Sequence, residues 1–184
     1  MAAKRKIFLL AMMLFQLTVI AGMIAKSMLP LVNGREVQLR VLARDPRDIF
    51  RGNYVTLSYD FSDLNLDSIP NDLEPSHGYR FGDEIFIELE PDGENFKTAG
   101  IRTKQPSGGI FLRGMIKMHY NSTVSLGAGI ESYFTDLAKA QEVEQHLVRD
   151  NAWGEVVARI MIAPGGEARI RSLDYIPRRA DGIR

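Results

Sequence analysis

A mainly β chain of the α+β class is predicted: one N-terminal transmembrane helix, then a β-rich domain with a single amphipathic helix. Three observations predict it. Ile7 to Ala25 runs uncharged as IFLLAMMLFQLTVIAGMIA. From Glu36 onward, apolar and polar residues alternate with period two in segment after segment, the pattern of half-buried strands. Outside the first segment only Asp136 to Arg149 shows helical spacing, with Leu137, Ala140, Glu144, Leu147 and Val148 in phase and Asp136 placed as a cap.

The first element is the apolar run. A helix over Ile7–Ala25 covers roughly 28 Å, close to the thickness of a hydrocarbon core. Met1 to Lys6 is a basic tail, with Lys4, Arg5 and Lys6 and no acid. Basic residues before a span place the N-terminus in the cytoplasm and the rest outside. Lys26 can snorkel at the far end. Gln16, Gly22 and the methionines offer contact points to a partner helix within the bilayer. A cleaved signal peptide is the rival reading, because Ala25-Lys26-Ser27 is a passable small-x-small site. Its apolar core is usually shorter than this run, so an uncleaved anchor through Ile7–Ala25 is preferred. Lys26–Arg35 then reads as a link to a domain over 36–176, and 177–184 as a polar tail.

The strands follow in order. Glu36–Leu42 sets Val37, Leu39 and Val41 on one face. Tyr54–Phe61 sets Val55, Leu57, Tyr59 and Phe61 against Tyr54, Thr56, Ser58 and Asp60. Ser62–Tyr79, with its prolines, acids and asparagines, reads as a surface loop with a helical turn at Leu64–Leu66. Gly82–Glu90 is a strand with Ile85, Ile87 and Leu89 inward, turning at Pro91-Asp92-Gly93 into Phe96–Arg102. Gln105–Gly109 is a second turn. Ile110–Tyr120 is a strand with Ile110, Leu112, Ile116 and Met118 inward, and Ser125–Thr135 a short strand with two glycines. Glu155–Ile162 and Ala168–Ile176 form a hairpin across Pro164-Gly165-Gly166.

Composition excludes several function classes. The chain has 184 residues, a formal net charge of zero and no cysteine. Disulfides, thiolate zinc sites and cysteine nucleophiles are therefore absent. No basic patch alternates with aromatics, so no nucleic-acid partner is expected. His77, His119 and His146 lie in no paired-ligand spacing, so no metal is expected. No phosphate loop and no GxSxG elbow is present, and no cofactor is expected.

The stretch dense in charge is Arg44 to Tyr59, RDPRDIFRGNYVTLSY. Pro46 fixes its own φ and bends the chain after Asp45. Asp48 can accept from nearby backbone N–H groups in a turn. Arg47 and Arg51 have acids within reach, and Gly52-Asn53 is a tight-turn pair. Two readings stand together. One is a loop held by its own ion pairs. The other is a recognition loop presenting Arg47 and Arg51 to an acidic group.

This pattern resembles the bacterial family named for its motif GDYXXLXY, a group of membrane-anchored proteins. The matching residues are Asp45, Pro46, Arg47, Asp48, Arg51, Gly52, Tyr54, Leu57 and Tyr59. Gly129-Ile130-Glu131-Ser132-Tyr133-Phe134 resembles that family's later Gly-Ile-Glu-Ser-Tyr-Phe segment. One position departs: Asn53 stands where the motif has Asp. Asn keeps the turn-forming oxygen and tolerates a left-handed backbone but cannot be a carboxylate base, so position 53 reads as a turn position. The resemblance implies an address and a domain type, and no reaction.

The favoured function is binding, with another membrane protein as partner. The candidate binding residues are Asp45, Arg47, Asp48, Arg51, Tyr54, Glu131 and Tyr133, with Pro46, Gly52 and Asn53 shaping the turn. Glu131 is expected either beside Arg47 or Arg51, joining the two motifs, or paired structurally to an arginine. The alternative is a membrane-tethered hydrolase. Ser27-Met28-Leu29-Pro30 is similar to the Ser-Met-x-Pro box of membrane signal peptidases, with Lys97, Lys104 and Lys117 as lysine candidates. An Asp48–Glu131 carboxyl pair is the other catalytic option.

Overall fold

A computed structural model describes residues 2–42, 54–74, 78–134 and 154–177. The charged stretch from Arg44 through Asn53, with Asp45, Pro46, Arg47, Asp48, Arg51 and Gly52, lies outside the described residues, as does the expected helix Asp136–Arg149.

Helix α1 spans Ala2–Asn33, 32 residues. It is long and apolar enough, by length and composition, to cross a membrane. Its apolar side chains from Ile7 to Ile24 are exposed rather than packed on the domain. The helix continues through Lys26–Asn33, the segment expected as a link. Lys26 is one charge on a helix surface and does not end it. Pro30 sits in the last turn and donates no backbone hydrogen bond there. The Pro30 carbonyl still accepts from Gly34 N at 2.9 Å, which closes the helix. Gly34 alone separates α1 from strand β1, Arg35–Arg40. A Cβ on Gly34 would overlap the Pro30 carbonyl oxygen and lie 3.0 Å from that of Ile162.

The remaining strands are β2 (Tyr54–Thr56), β3 (Asp63–Asn65), β4 (Glu84–Asp92), β5 (Asn95–Arg102), β6 (Ile110–Tyr120), β7 (Thr123–Gly127), β8 (Ser132–Phe134), β9 (Gly154–Ile162) and β10 (Ala168–Pro177). Eight of the ten form one sheet in the order β10-β9-β1-β5-β4-β6-β7-β3, and β2 pairs with β8 as a separate ribbon. All pairings are antiparallel except β1 with β5, where Leu39 lies opposite Phe96. The sheet curls. The turn between β9 and β10 reaches β6, where Arg113 N donates to Gly166 O at 2.8 Å, although β1, β5 and β4 lie between β9 and β6.

Alternation explains which side chains fill the curl. Val37, Leu39, Ile85, Ile87, Leu112, Ile116, Val124, Leu126, Val156, Ala158 and Ile160 are all buried and belong to one core. Val55, Leu57, Tyr59, Phe61 and Ile130, from the ribbon and the turns beside it, join the same core. On the opposite face Phe86 and Phe111 meet edge to face at 5.8 Å, and both are buried.

Four expectations are corrected. Met118 is 65% exposed, not inward, because a bulge between Ile116 and Met118 shifts the β6–β7 register and turns the following side chains over. Pro91 and Asp92 continue the β4 ladder opposite Phe96 and Asn95, so the turn is Gly93-Glu94. Ser62–Tyr79 contains strand β3, and its helical turn is at Leu66–Ser68, where the Asn65 side chain accepts from Asp67 N at 2.9 Å. Ser125–Thr135 is two strands rather than one. Gly129, at φ 76°, breaks it between β7 and β8 in a backbone region that favours glycine.

Candidate functional site

The described part of the first motif, Tyr54 to Tyr59, meets the second. Tyr54, Val55 and Thr56 of β2 lie opposite Phe134, Tyr133 and Ser132 of β8. One residue further on, Leu57 N donates to the Glu131 carbonyl at 2.8 Å. A ladder of three residue pairs is marginal by itself. It is held because Val55, Leu57, Tyr59 and Phe61 all project into the core, with Tyr59 and Phe61 stacked at 5.1 Å.

Tyr59 is the pivot. Its hydroxyl donates to the Ile130 carbonyl at 2.9 Å, across the gap between the two motifs. Burial, and then the charge of nearby Glu131, push its phenol far above the ordinary tyrosine range, so it stays neutral. Beyond it the chain turns: Tyr59 N donates to Ser62 Oγ at 2.9 Å, and Ser62 N returns to Tyr59 O at 3.0 Å. Asp60 fastens this turn to β5 by accepting from Thr98 N at 2.7 Å and Thr98 Oγ1 at 2.8 Å.

Glu131 sits at the base of the ribbon with 19% of its side chain exposed. One carboxylate oxygen accepts from Ala128 N at 2.6 Å, closing the turn around Gly129. The other lies 3.5 Å from Lys117 Nζ. The Lys117 stem crosses Gly127, where a Cβ would overlap Lys117 Cε. Among the described residues Glu131 therefore pairs with Lys117, while Arg47 and Arg51 lie outside them. The site residues Glu131 and Tyr133 and the backbone of Tyr54 are brought together; Asp45, Arg47, Asp48 and Arg51 lie outside the described residues. Lys117 is the partner that sequence reasoning missed. The available signal was Gly127, a small residue on the neighbouring strand that leaves room for a long stem.

The other catalytic option is placed as follows. Ser27 Oγ accepts from Arg169 Nη2 at 3.3 Å. Lys117 is engaged with Glu131, and Lys97 lies 3.3 Å from Glu90. Among the described residues no three His, Asp or Glu side chains converge to hold a metal ion.

The ribbon carries both halves of a family signature, and the family model described as GDYXXLXY protein matches residues 16–173. The chain belongs to the GDYXXLXY family. No curated protein and no solved structure matches it. In this GDYXXLXY protein the later motif letters have clear structural work. Tyr54 opens β2, while Leu57 and Tyr59 are core residues with at most 1% exposure.

The ribbon also fixes where the charged stretch is attached. Its first neighbour, Leu42, bonds through N to Ser58 O at 2.8 Å, and Val41 N bonds to Val156 O at 2.9 Å. Its other neighbour is Tyr54, opposite Phe134. Leu42 and the start of β9 thus lie at the end of β1 away from α1. Six residues of strand separate the two ends, about 20 Å.

Proposed function

We propose that this GDYXXLXY protein is a single-pass protein of a bacterial inner membrane, with a cytoplasmic N-terminus and a periplasmic β domain. It works by binding another membrane protein through the Arg44–Gly52 loop. The observation that carries this reading is the joining of the two motifs: the backbone on both sides of the charged loop is pinned by hydrogen bonds, at Leu42–Ser58 and in the β2–β8 ladder. Fixed flanking backbone lowers the ordering cost of binding through the segment between. The same topology attaches the loop at the far end of β1, so the surface engaged is the partner's extramembrane part. Binding is favoured over hydrolysis because both Glu131 carboxylate oxygens already serve the ribbon and Ser27 is bonded to Arg169.

Affinity purification of the full chain in mild detergent tests the proposal. A membrane protein is expected to co-purify, and Arg47→Glu with Arg51→Glu is expected to cut its recovery at least about tenfold while the thermal transition stays put. Recovery of the chain alone, or a charge-swapped chain that works in cells like the wild type, would overturn it.

A further inference from the structure

The domain touches α1 well before the junction at Gly34. Arg169 of β10 donates through Nη2 to Ser27 Oγ at 3.3 Å. Ser27 lies two residues past Ala25, the end of the uncharged run, or about 3 Å along the helix. The headgroup layer on each side of a bilayer is roughly 5–7 Å thick, so the Arg169 guanidinium falls within it. We propose that the β9–β10 end of the sheet rests on the bilayer surface, where Arg169 and Arg35, with Lys26 of the helix, bind the phosphates of anionic phospholipids. The docking rests on the bilayer anchoring of α1 proposed above and is independent of the protein partner.

Register, charge and apolar surface agree. Arg35 lies opposite Ile162, and Ile162 opposite Ala168, so β10 begins at the end of the sheet that carries the junction. Among the described residues Lys26, Arg35 and Arg169 have no ion-pair partner. The acids near them are already engaged. Glu36 accepts from Arg171 Nη1 at 2.7 Å and from Arg159 Nη1 at 3.4 Å, and Glu167 accepts from Arg113 Nη1 at 3.1 Å. Positive charge is therefore left over, and a guanidinium offers phosphate two parallel N–H donors. The apolar surface of the helix also continues past Lys26: Met28, Leu31 and Val32 share one face by their spacing, and all three are exposed, Val32 at 73%. Lipid covers that face while the stems of Lys26 and Arg169 carry their charges to the headgroups. Free phosphate would satisfy the charges and leave the apolar face in water.

The chain has no cysteine, so one fluorophore can be placed at will. Glu167→Cys puts it two residues from Arg169, and Glu94→Cys puts it in the β4–β5 turn at the opposite end of the sheet; both positions are exposed. The full chain is inserted into nanodiscs whose lipids carry a headgroup nitroxide, with phosphatidylcholine alone or with added phosphatidylglycerol. The two ends of the sheet are about 20 Å apart, so quenching is expected to be at least about threefold stronger at position 167 than at 94. It should rise with phosphatidylglycerol and fall back in high salt. Arg35→Gln with Arg169→Gln should abolish the rise, and Arg35→Lys with Arg169→Lys should keep it, which separates charge from a structural role. Equal quenching at the two positions, no rise with phosphatidylglycerol, or a full rise in the glutamine variant would overturn the docking while the anchor stands. Extraction of the chain from membranes by alkaline carbonate would overturn the anchor, and the docking with it.

Discussion

The Tyr59 hydroxyl bonds the Ile130 carbonyl at 2.9 Å, tying together two sequence motifs that share no local neighbours. The bond is buried, and the phenol is held neutral by the same burial. Tyr59→Phe keeps the ring and removes one hydrogen bond, which should cost about 1 kcal/mol at neutral pH. The pH dependence has a definite sign. In the unfolded chain this phenol ionises near its ordinary value of about 10, while in the folded chain its value is raised. Its contribution is therefore complete below about pH 10 and is lost as the pH rises further. Urea midpoints of the two chains should differ in favour of the wild type at neutral pH and converge, then cross, in alkali. A gap that stays constant up to strong alkali would refute the burial account.

Glu131 does two separable jobs. Glu131→Ala strips the acceptor from Ala128 N in a half-buried turn and should cost about 1–3 kcal/mol. Glu131→Gln keeps an oxygen there and loses only the attraction to Lys117, about 0–1 kcal/mol. Lys117→Met should match the Gln variant, because its stem still covers Gly127. Thermal unfolding of the three variants gives the order directly.

The β6 bulge predicts a contrast six residues apart. Leu112→Ala empties a fully buried site and should cost about 2–5 kcal/mol. Met118→Ala removes an exposed side chain and should stay within about 0.5 kcal/mol. Comparable losses at both positions would mean that the strand keeps its register through Lys117.

Two glycines with left-handed backbones should respond unequally. Gly129, at φ 76°, faces open space, so Gly129→Ala carries only backbone strain, about 1–2 kcal/mol. Gly166, at φ 86°, would place its Cβ 2.8 Å from Arg113 N and 2.9 Å from the Phe111 ring. Gly166→Ala should cost more than the same change at Gly129, and denaturant midpoints measured side by side decide it.

Much of the fold was legible because period-two alternation is a local signal. β6 runs from Ile110 to Tyr120, as the alternation predicts, and the inward faces of β1 and β4 are those read from Val37, Leu39, Ile85 and Ile87. Alternation presumes an unbroken register, so it failed at Met118, where one extra residue reverses the faces. It also missed β3, because Asp63 and Asn65 are exposed and Leu64 is only half-buried. The pairing of Leu57 with Glu131 could not be read at all. It joins distant parts of the chain, and no local property of either residue encodes the other. Phe86 and Phe111 escaped notice for a different reason: they lie on strand faces assigned to solvent, where they pack edge to face, with Phe111 also against Gly166.

Gly34 is the only residue between the apolar helix and the first strand, and it has no space for a side chain. A junction that short does not act as a tether. Rotation or tilt of the helix is handed to the sheet as to a wheel on its axle. The domain therefore sweeps little volume about the helix axis. Lengthening the junction would trade that fixed bearing for reach.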